Sequence, residues 1–313
     1  MKYLFFGTSR FAATILEYLV SKEMVPVAVV TRPDRPQGRS LLLSAPPVKK
    51  MFQSLQLAIP LYQPEKASSP EMVEEFTRLG VDLFVVVAYG EILRQNLLNL
   101  PRFGAINVHA SLLPKYRGAA PMQRCLMHGD AKTGVTIMEM VLQMDAGAML
   151  KKVEMEVPEA MNCGELEEKL ALLACAPLIE VIEGLGRAPL PKIEQDPSLV
   201  TFAPKIGVEE ELLDWNLSGL VLHNKIRALS PTPGAWCWIR VGDEKRRLKI
   251  KKAVYMPEKS GAPGSVLVCG KEGLVVACAE GALCLLEVQP EGKRLMRSVE
   301  FVQGLQQLLS FTL

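Results

Sequence analysis

The sequence predicts an α/β protein in two parts. A mostly parallel sheet flanked by helices comes first, and a smaller β-barrel follows. Three observations carry this expectation. Continuous apolar runs alternate with amphipathic stretches over the first 183 residues, the pattern of strands buried on both faces and joined by crossover helices. Prolines at 189, 191, 197 and 204 then gather among polar residues, as in a linker. Beyond Trp236 come five short β-rich runs separated by Gly and Pro turns, the spacing of a small barrel. A chain of 313 residues is long enough for two domains of ~100–200 residues each.

Residues 3–6, Tyr-Leu-Phe-Phe, read as a buried strand that ends at the turn Gly7-Thr8-Ser9. Residues 11–19 read as a helix with Phe11, Ile15, Leu16 and Leu19 on one face, since side chains three and four apart share a helix face. Further strands are expected at 25–31, 82–88, 105–109 and 134–140, and further helices at 49–57, 71–79 and 165–183. After the linker, residues 217–229 read as one amphipathic helix. The barrel strands are expected at 236–240, 248–254, 264–268, 274–278 and 283–288.

Composition excludes several classes. Apolar residues make up 49% and charged residues 22%, ordinary values for a globular protein and unlike a disordered or collagenous chain. Seven cysteines occur, with no Cys-x-x-Cys pair. Neither a disulfide framework nor a thiolate zinc site is expected, and the thiols read as buried small residues in a reducing compartment. The apolar run after Lys2 ends at Gly7, too short for a signal-peptide core. A cytoplasmic location is expected. The first strand–turn–helix carries one glycine, Gly7, where a dinucleotide site needs three, which speaks for a plain βα turn.

The most informative stretch is residues 106–121, which includes Asn107, His109, Ser111-Leu112-Leu113-Pro114 and Arg117-Gly118. Asn107 and His109 are two apart on a strand and so share one face, at the carboxyl end where ligands of such sheets bind. An amide donor beside a titratable imidazole suits an oxyanion that forms while a proton moves. On spacing alone, a buried histidine satisfied by backbone next to a turn asparagine is the slightly favoured reading.

That run resembles the signature of the folate-dependent formyltransferase family, Asn-x-His followed by Ser-Leu-Leu-Pro and Arg-Gly. Agreement extends to Phe6-Gly7-Thr8, to residues 31–36 and 85–90, and late in the chain to 203–206, 226–235 and 292–296. The resemblance implies a Rossmann-like formyltransferase catalytic domain over 1–187, a linker at 188–204, and an OB-like, tRNA-binding β-barrel over 205–313. It also implies the reaction: the formyl group of 10-formyltetrahydrofolate passes to the α-amino group of methionine on the initiator tRNA, with no metal. Carried over by motif, Asn107, His109 and Asp145 form the catalytic group. Asn107 donates to the oxyanion, His109 moves the proton, and Asp145 orients His109. Ser111, Leu112, Leu113 and Pro114 line the folate site, and backbone near Glu91, Ile92 and Leu93 meets the pterin.

Two departures from the family pattern stand out. The loop that usually reads Met-Asp-x-Gly-Leu-Asp-Thr-Gly is here residues 140–147; Asp145 is kept, but Val141, Gln143 and Ala146 replace the first Asp, the Gly and the Thr. The family's basic insertion Gly-Arg-Gly-Lys-Lys is here Gly38-Arg39-Ser40-Leu41-Leu42. Arg39 remains the candidate for contact with the tRNA acceptor end.

Charge is segregated. The net charge is only +2, yet residues 245–252 hold six basic residues and no acid, while 154–183 hold eight acids and one base. Strand alternation puts Arg247, Lys249 and Lys251 on one face, readable as a solvated strand or as a phosphate track for tRNA. A sugar-nucleotide formyltransferase and a non-catalytic RNA-binding relative are the competing readings.

Overall fold

The computed structural model describes residues 1–37, 42–305 and 309–312. Arg39 therefore lies outside the described residues, as does Leu41. The chain divides into two compact units. One comprises Met1–Gly118, Lys132–Met155 and Glu167–Ala203; the other comprises Ala119–Ala131, Glu156–Leu166 and Pro204–Leu313.

The first unit is built on strands β1 (Tyr3–Gly7), β2 (Ala28–Val30), a small hairpin of β3 (Arg35–Gln37) and β4 (Leu42–Ser44), β5 (Leu61–Tyr62), β6 (Leu83–Val87), β7 (Ala105–His109), β8 (Lys132–Glu139) and β9 (Met149–Glu156). Its sheet runs β5-β2-β1-β6-β7-β8-β9. Pairings from β5 through β7 are parallel. The strands of β1 and β6 are buried along their whole length, which is why both read as unbroken apolar runs. Strand order reverses between β1 and β6, so the carboxyl ends of β1, β6 and β7 border the crevice where such sheets bind ligands.

Helix Arg10–Ser21 follows β1 and is capped by Ser9, whose side chain accepts from the N–H of Ala12, satisfying one of the free donors of the first turn. Helix Pro70–Leu79 begins with Pro70 behind a Ser69 cap and stops at Gly80 in the left-handed region, φ +58°, as start and stop chemistry requires. Its Phe76 packs edge-on to Phe6, which also meets Phe84 and Tyr89. These rings seal one face of the sheet.

Strand β8 differs from a purely parallel reading: it pairs antiparallel with β7, placing Thr136 opposite His109. The edge strand β9 and the helix Pro121–His128 are additional to the elements expected from the sequence. Of the stretch 188–204 read as a linker, residues 188–203 pack within the first unit. Ile193 bridges Met149, and Phe202 bridges Arg117.

The second unit centres on strands β10 (Ala235–Val241), β11 (Glu244–Met256), β12 (Val266–Gly270), β13 (Gly273–Ala277), β14 (Ala282–Pro290), β15 (Met296–Arg297) and β16 (Leu309–Thr312). The order is β12-β13-β14-β11-β10-β16, and its pairings are antiparallel. Register shifts along β11 between Ile250 and Ala253 add the bend that lets a long strand curl around a barrel core. That core holds Trp215, Leu222, Ile226, Ile250 and Leu285. Helix Gly219–Ala228 presents Arg227, which is buried yet gives its N–H groups to the side chain of Asn224 and to the carbonyls of Met161 and Leu126. Each of the three guanidinium nitrogens thus meets an acceptor.

Candidate active site

Strand β7 delivers His109 at its carboxyl end, 5% exposed, with Asn107 half-buried two residues earlier. Nε2 of His109 lies 2.8 Å from the carbonyl of Tyr116. A carbonyl only accepts, so Nε2 carries a proton there. Nδ1 consequently faces the site, 3.6 Å from Oδ2 of Asp145. That gap exceeds a hydrogen bond, yet a proton gained at Nδ1 sits beside a carboxylate. The asparagine side chain makes no hydrogen bond among the described residues, leaving both its N–H groups for a ligand.

The loop after β7 is held by its neighbours. Thr136 Oγ1 donates to Ser111 O at 2.8 Å and accepts from Leu113 N at 3.1 Å, while Ser111 Oγ donates to Lys115 O at 2.6 Å. Tyr116 N donates to Thr201 Oγ1, Arg117 N to Thr201 O, and Ala203 N to Arg117 O. Gly118 closes the loop at φ +127°, and a Cβ there would lie 2.6 Å from the Ala203 carbonyl oxygen. Only glycine fits that position.

Asp145 sits on the loop between β8 and β9. Its carboxylate accepts the Gly118 N–H at 2.8 Å. Its own φ is +50°, and Tyr116 and Ala88 are also in the left-handed region at +64° and +42°. Each costs roughly 1–3 kcal/mol, and such strain gathers at sites where the surroundings impose it. The loop's neck is tight: a Cβ on Gly147 would stand 1.9 Å from the Glu139 carbonyl oxygen.

The residues expected to meet folate divide into two groups. Ser111, Leu113, Pro114 and Leu93 are buried, and Leu113 packs on Met138 and Met149. Leu112 is half-buried and Ile92 is 70% exposed, at the carboxyl ends of β7 and β6. Glu91 is committed elsewhere: it pairs with Arg32 and accepts the Ala67 N–H.

The basic strand is more structural than its composition suggests. Arg247 stacks over Trp236 and Trp238, its Cζ 4.3 Å and 5.8 Å from the ring centroids, and Lys245 lies 4.9 Å from Trp238. Lys249 donates to the Pro233 carbonyl at 2.7 Å and Lys251 to the Pro231 carbonyl at 2.6 Å. Desolvation lowers the Lys251 pKa first, with Lys249 adding to the effect. Among the described residues, no group of three or more His, Cys, Asp or Glu could hold a metal ion. Burial pushes the thiols of Cys175 and Cys278 up to about 12 and about 11, so they stay protonated and inert.

A family model described as formyl transferase matches residues 1–182, and one for the formyl transferase C-terminal domain matches 205–306. A methionyl-tRNA formyltransferase from Protochlamydia amoebophila is 48% identical over 305 residues, covering 97% of this chain and 95% of the relative. The chain belongs to the formyl transferase family. A methionyl-tRNA formyltransferase from Bacillus subtilis is 41% identical over 302 residues, covering 96% of this chain and 94% of that one. The fold recurs in solved structures. HypX from Aquifex aeolicus in complex with tetrahydrofolic acid gives a TM-score of 0.66 at 16% identity; it is matched by all of this chain, which spans only 51% of its length. An N-formyltransferase from Helicobacter canadensis, with folinic acid and dTDP-3-aminofucose, gives 0.65 at 14% identity, over 91% of this chain and 99% of that one. Formyl transfer is thus the chemistry of the family to which this site belongs. One residue of this formyltransferase escaped the sequence reading. Gln195, 9% exposed within the proline-rich stretch, reaches into the Asp145 loop. Its only sequence signal is a polar residue flanked by charges.

Proposed function

We propose that this chain transfers the formyl group of 10-formyltetrahydrofolate to the α-amino group of methionine on initiator tRNA, in the cytoplasm. The observation that carries the reading is the approach of Asp145 Oδ2 to His109 Nδ1, 3.6 Å, on the same strand end as the unengaged Asn107 amide. The relatives named methionyl-tRNA formyltransferase, at 48% and 41% identity over nearly the whole chain, support the acceptor. Seven free cysteines fit a reducing compartment. No helix among the described residues is long and apolar enough to cross a membrane.

In this reading the methionine nitrogen attacks the formyl carbon. Charge collects on the formyl oxygen, where the Asn107 amide donates. His109 Nδ1 takes the proton lost by the nitrogen, and Asp145 stabilises the resulting imidazolium. The proton then passes to N10 of the folate as the bond between that nitrogen and the formyl carbon breaks. Leu112, Ile92 and backbone around Ser111, Leu113, Pro114, Glu91 and Leu93 form the folate side. Arg247, and Arg39 on the catalytic part, are the tRNA contacts, while Lys249 and Lys251, expected to share that role, hold the Pro233 and Pro231 carbonyls beside it. Catalysis is assigned to 1–187 and tRNA holding to 205–313, with 188–204 serving the catalytic unit.

Amino-sugar acceptors are the second reading, since the Helicobacter canadensis structure shares the fold. The cationic face of β11 favours a polyanionic acceptor instead. Formyl transfer measured with charged initiator tRNA and with a dTDP-amino sugar separates them. Turnover on the sugar alone overturns the proposal, and turnover on neither favours a binding protein.

A further inference from the structure

We propose that Gln195 is a positioning residue for formyl transfer, holding Asp145 so that its carboxylate faces His109. The inference rests on the catalytic role given to Asp145 above.

The side-chain amide of Gln195 is fully used. Nε2 donates to the carbonyls of Asp145 and Gly147, both at 2.8 Å, and Oε1 accepts from Nε of Arg117 at 3.0 Å. Arginine only donates and carbonyls only accept, so these partners dictate which way the amide points. Asp145 holds a left-handed backbone, φ +50°, which a non-glycine residue keeps only when its surroundings over-determine it. The two carbonyls that Gln195 grips flank Ala146, and the first belongs to Asp145 itself.

The rest of the loop does little of this work. Val141, Leu142 and Met144 are 48%, 61% and 58% exposed. The tip's own backbone closure is Ala146 N to Gln143 O, at 3.3 Å. At Val141, Gln143 and Ala146 the loop has lost the Asp, Gly and Thr of the family pattern, so local turn chemistry is weak here. Gln195 also grips Arg117, the neighbour of Gly118, whose N–H binds the Asp145 carboxylate. One buried side chain therefore secures both partners of that hydrogen bond. Arg117 is itself 8% exposed, so withdrawing the glutamine releases both sides at once.

A double-mutant cycle tests this. Gln195→Met, close in volume but without donors, and Gln195→Glu, which keeps an acceptor for Arg117, are each compared in the wild-type and Asp145→Asn backgrounds. Single-turnover transfer is followed with charged initiator tRNA and formyl donor, with thermal unfolding measured in parallel. In the wild-type background each change lowers the transfer rate roughly 10²-fold, the cost of a misplaced catalytic group, with KM for both substrates within about threefold. In the Asp145→Asn background the same change lowers the residual rate less than about threefold, because the effect runs through Asp145. An equal fall in both backgrounds, or an unchanged rate in the wild type, overturns the proposal. Wild-type turnover by Asp145→Asn itself overturns the role of Asp145, an outcome read separately from the Gln195 arms.

Discussion

Gly118 donates its backbone N–H to Oδ2 of Asp145 at 2.8 Å. The same oxygen faces His109, so the loop after β7 supplies the imidazole at one end and orients its carboxylate from the other. Alanine at 118 must hold φ +127° with its Cβ 2.6 Å from the Ala203 oxygen. Gly118→Ala therefore loses about 2–3 kcal/mol of stability, and kcat falls roughly 10²-fold as Asp145 loses its donor. Thermal unfolding and steady-state transfer check both.

Asn107 is half-buried with its amide unengaged, so its removal leaves no buried partner stranded. Asn107→Ala keeps its fold and lowers kcat by about 10²–10³, the usual cost of one oxyanion donor. KM changes little, because the interaction develops only as charge forms. A fall confined to KM would move Asn107 into ground-state binding.

Arg247 and the lysines beside it separate by experiment. Arg247 lies half-buried over two tryptophans, whereas Lys249 and Lys251 bind the carbonyls of Pro233 and Pro231. Arg247→Ala lowers tRNA affinity and reduces the slope of log affinity against log salt by about 1. The pair Lys249→Ala and Lys251→Ala costs about 1 kcal/mol of stability for each hydrogen bond lost. Salt titration of tRNA binding and denaturant unfolding read the two effects apart. Folate KM stays unchanged in both.

Glu210 makes the second unit acid-sensitive. Its carboxylate pairs with Arg124 and accepts the Gly207 N–H, and these bonds hold its pKa at about 2 against the usual 4.5. A depressed carboxylate stabilises the fold at pH above its unfolded value and loses that contribution as pH falls through its folded value. Glu210→Gln therefore costs about 1 kcal/mol at pH 7, discounted because the side chain is 34% exposed. The difference from wild type shrinks from pH 4.5 and is gone near pH 2. A difference independent of pH would assign the loss to packing.

Much of this molecule was legible because burial writes itself into sequence. Strands β1 and β6 are buried on both faces and showed as unbroken apolar runs. Asn107 and His109 share a face because strand periodicity admits nothing else. Direction is different: residues 134–140 read as a strand, but nothing local told β8 to run antiparallel to β7. Helix Pro121–His128 escaped because it mixes polar and apolar residues over two turns. The commitment of Lys249 and Lys251 to proline carbonyls is a long-range fact, invisible to charge counting. Gln195 was missed for the same reason, since its partners lie 48 to 78 residues away.

The alternation of the chain between its two units governs the order in which it can be made. Residues 119–131 and 156–166 belong to the unit completed by residues 204–313, and Leu126 and Met161 offer carbonyls to Arg227. Emerging from the ribosome, helix Pro121–His128 has no partner until about a hundred more residues have been synthesised, several seconds at ordinary rates. The loop bearing His109 and Gly118 runs straight into that helix. A nascent chain cut at residue 204 thus keeps Asn107, His109 and Asp145, yet its helix Pro121–His128 lacks the helix Gly219–Ala228 against which it packs.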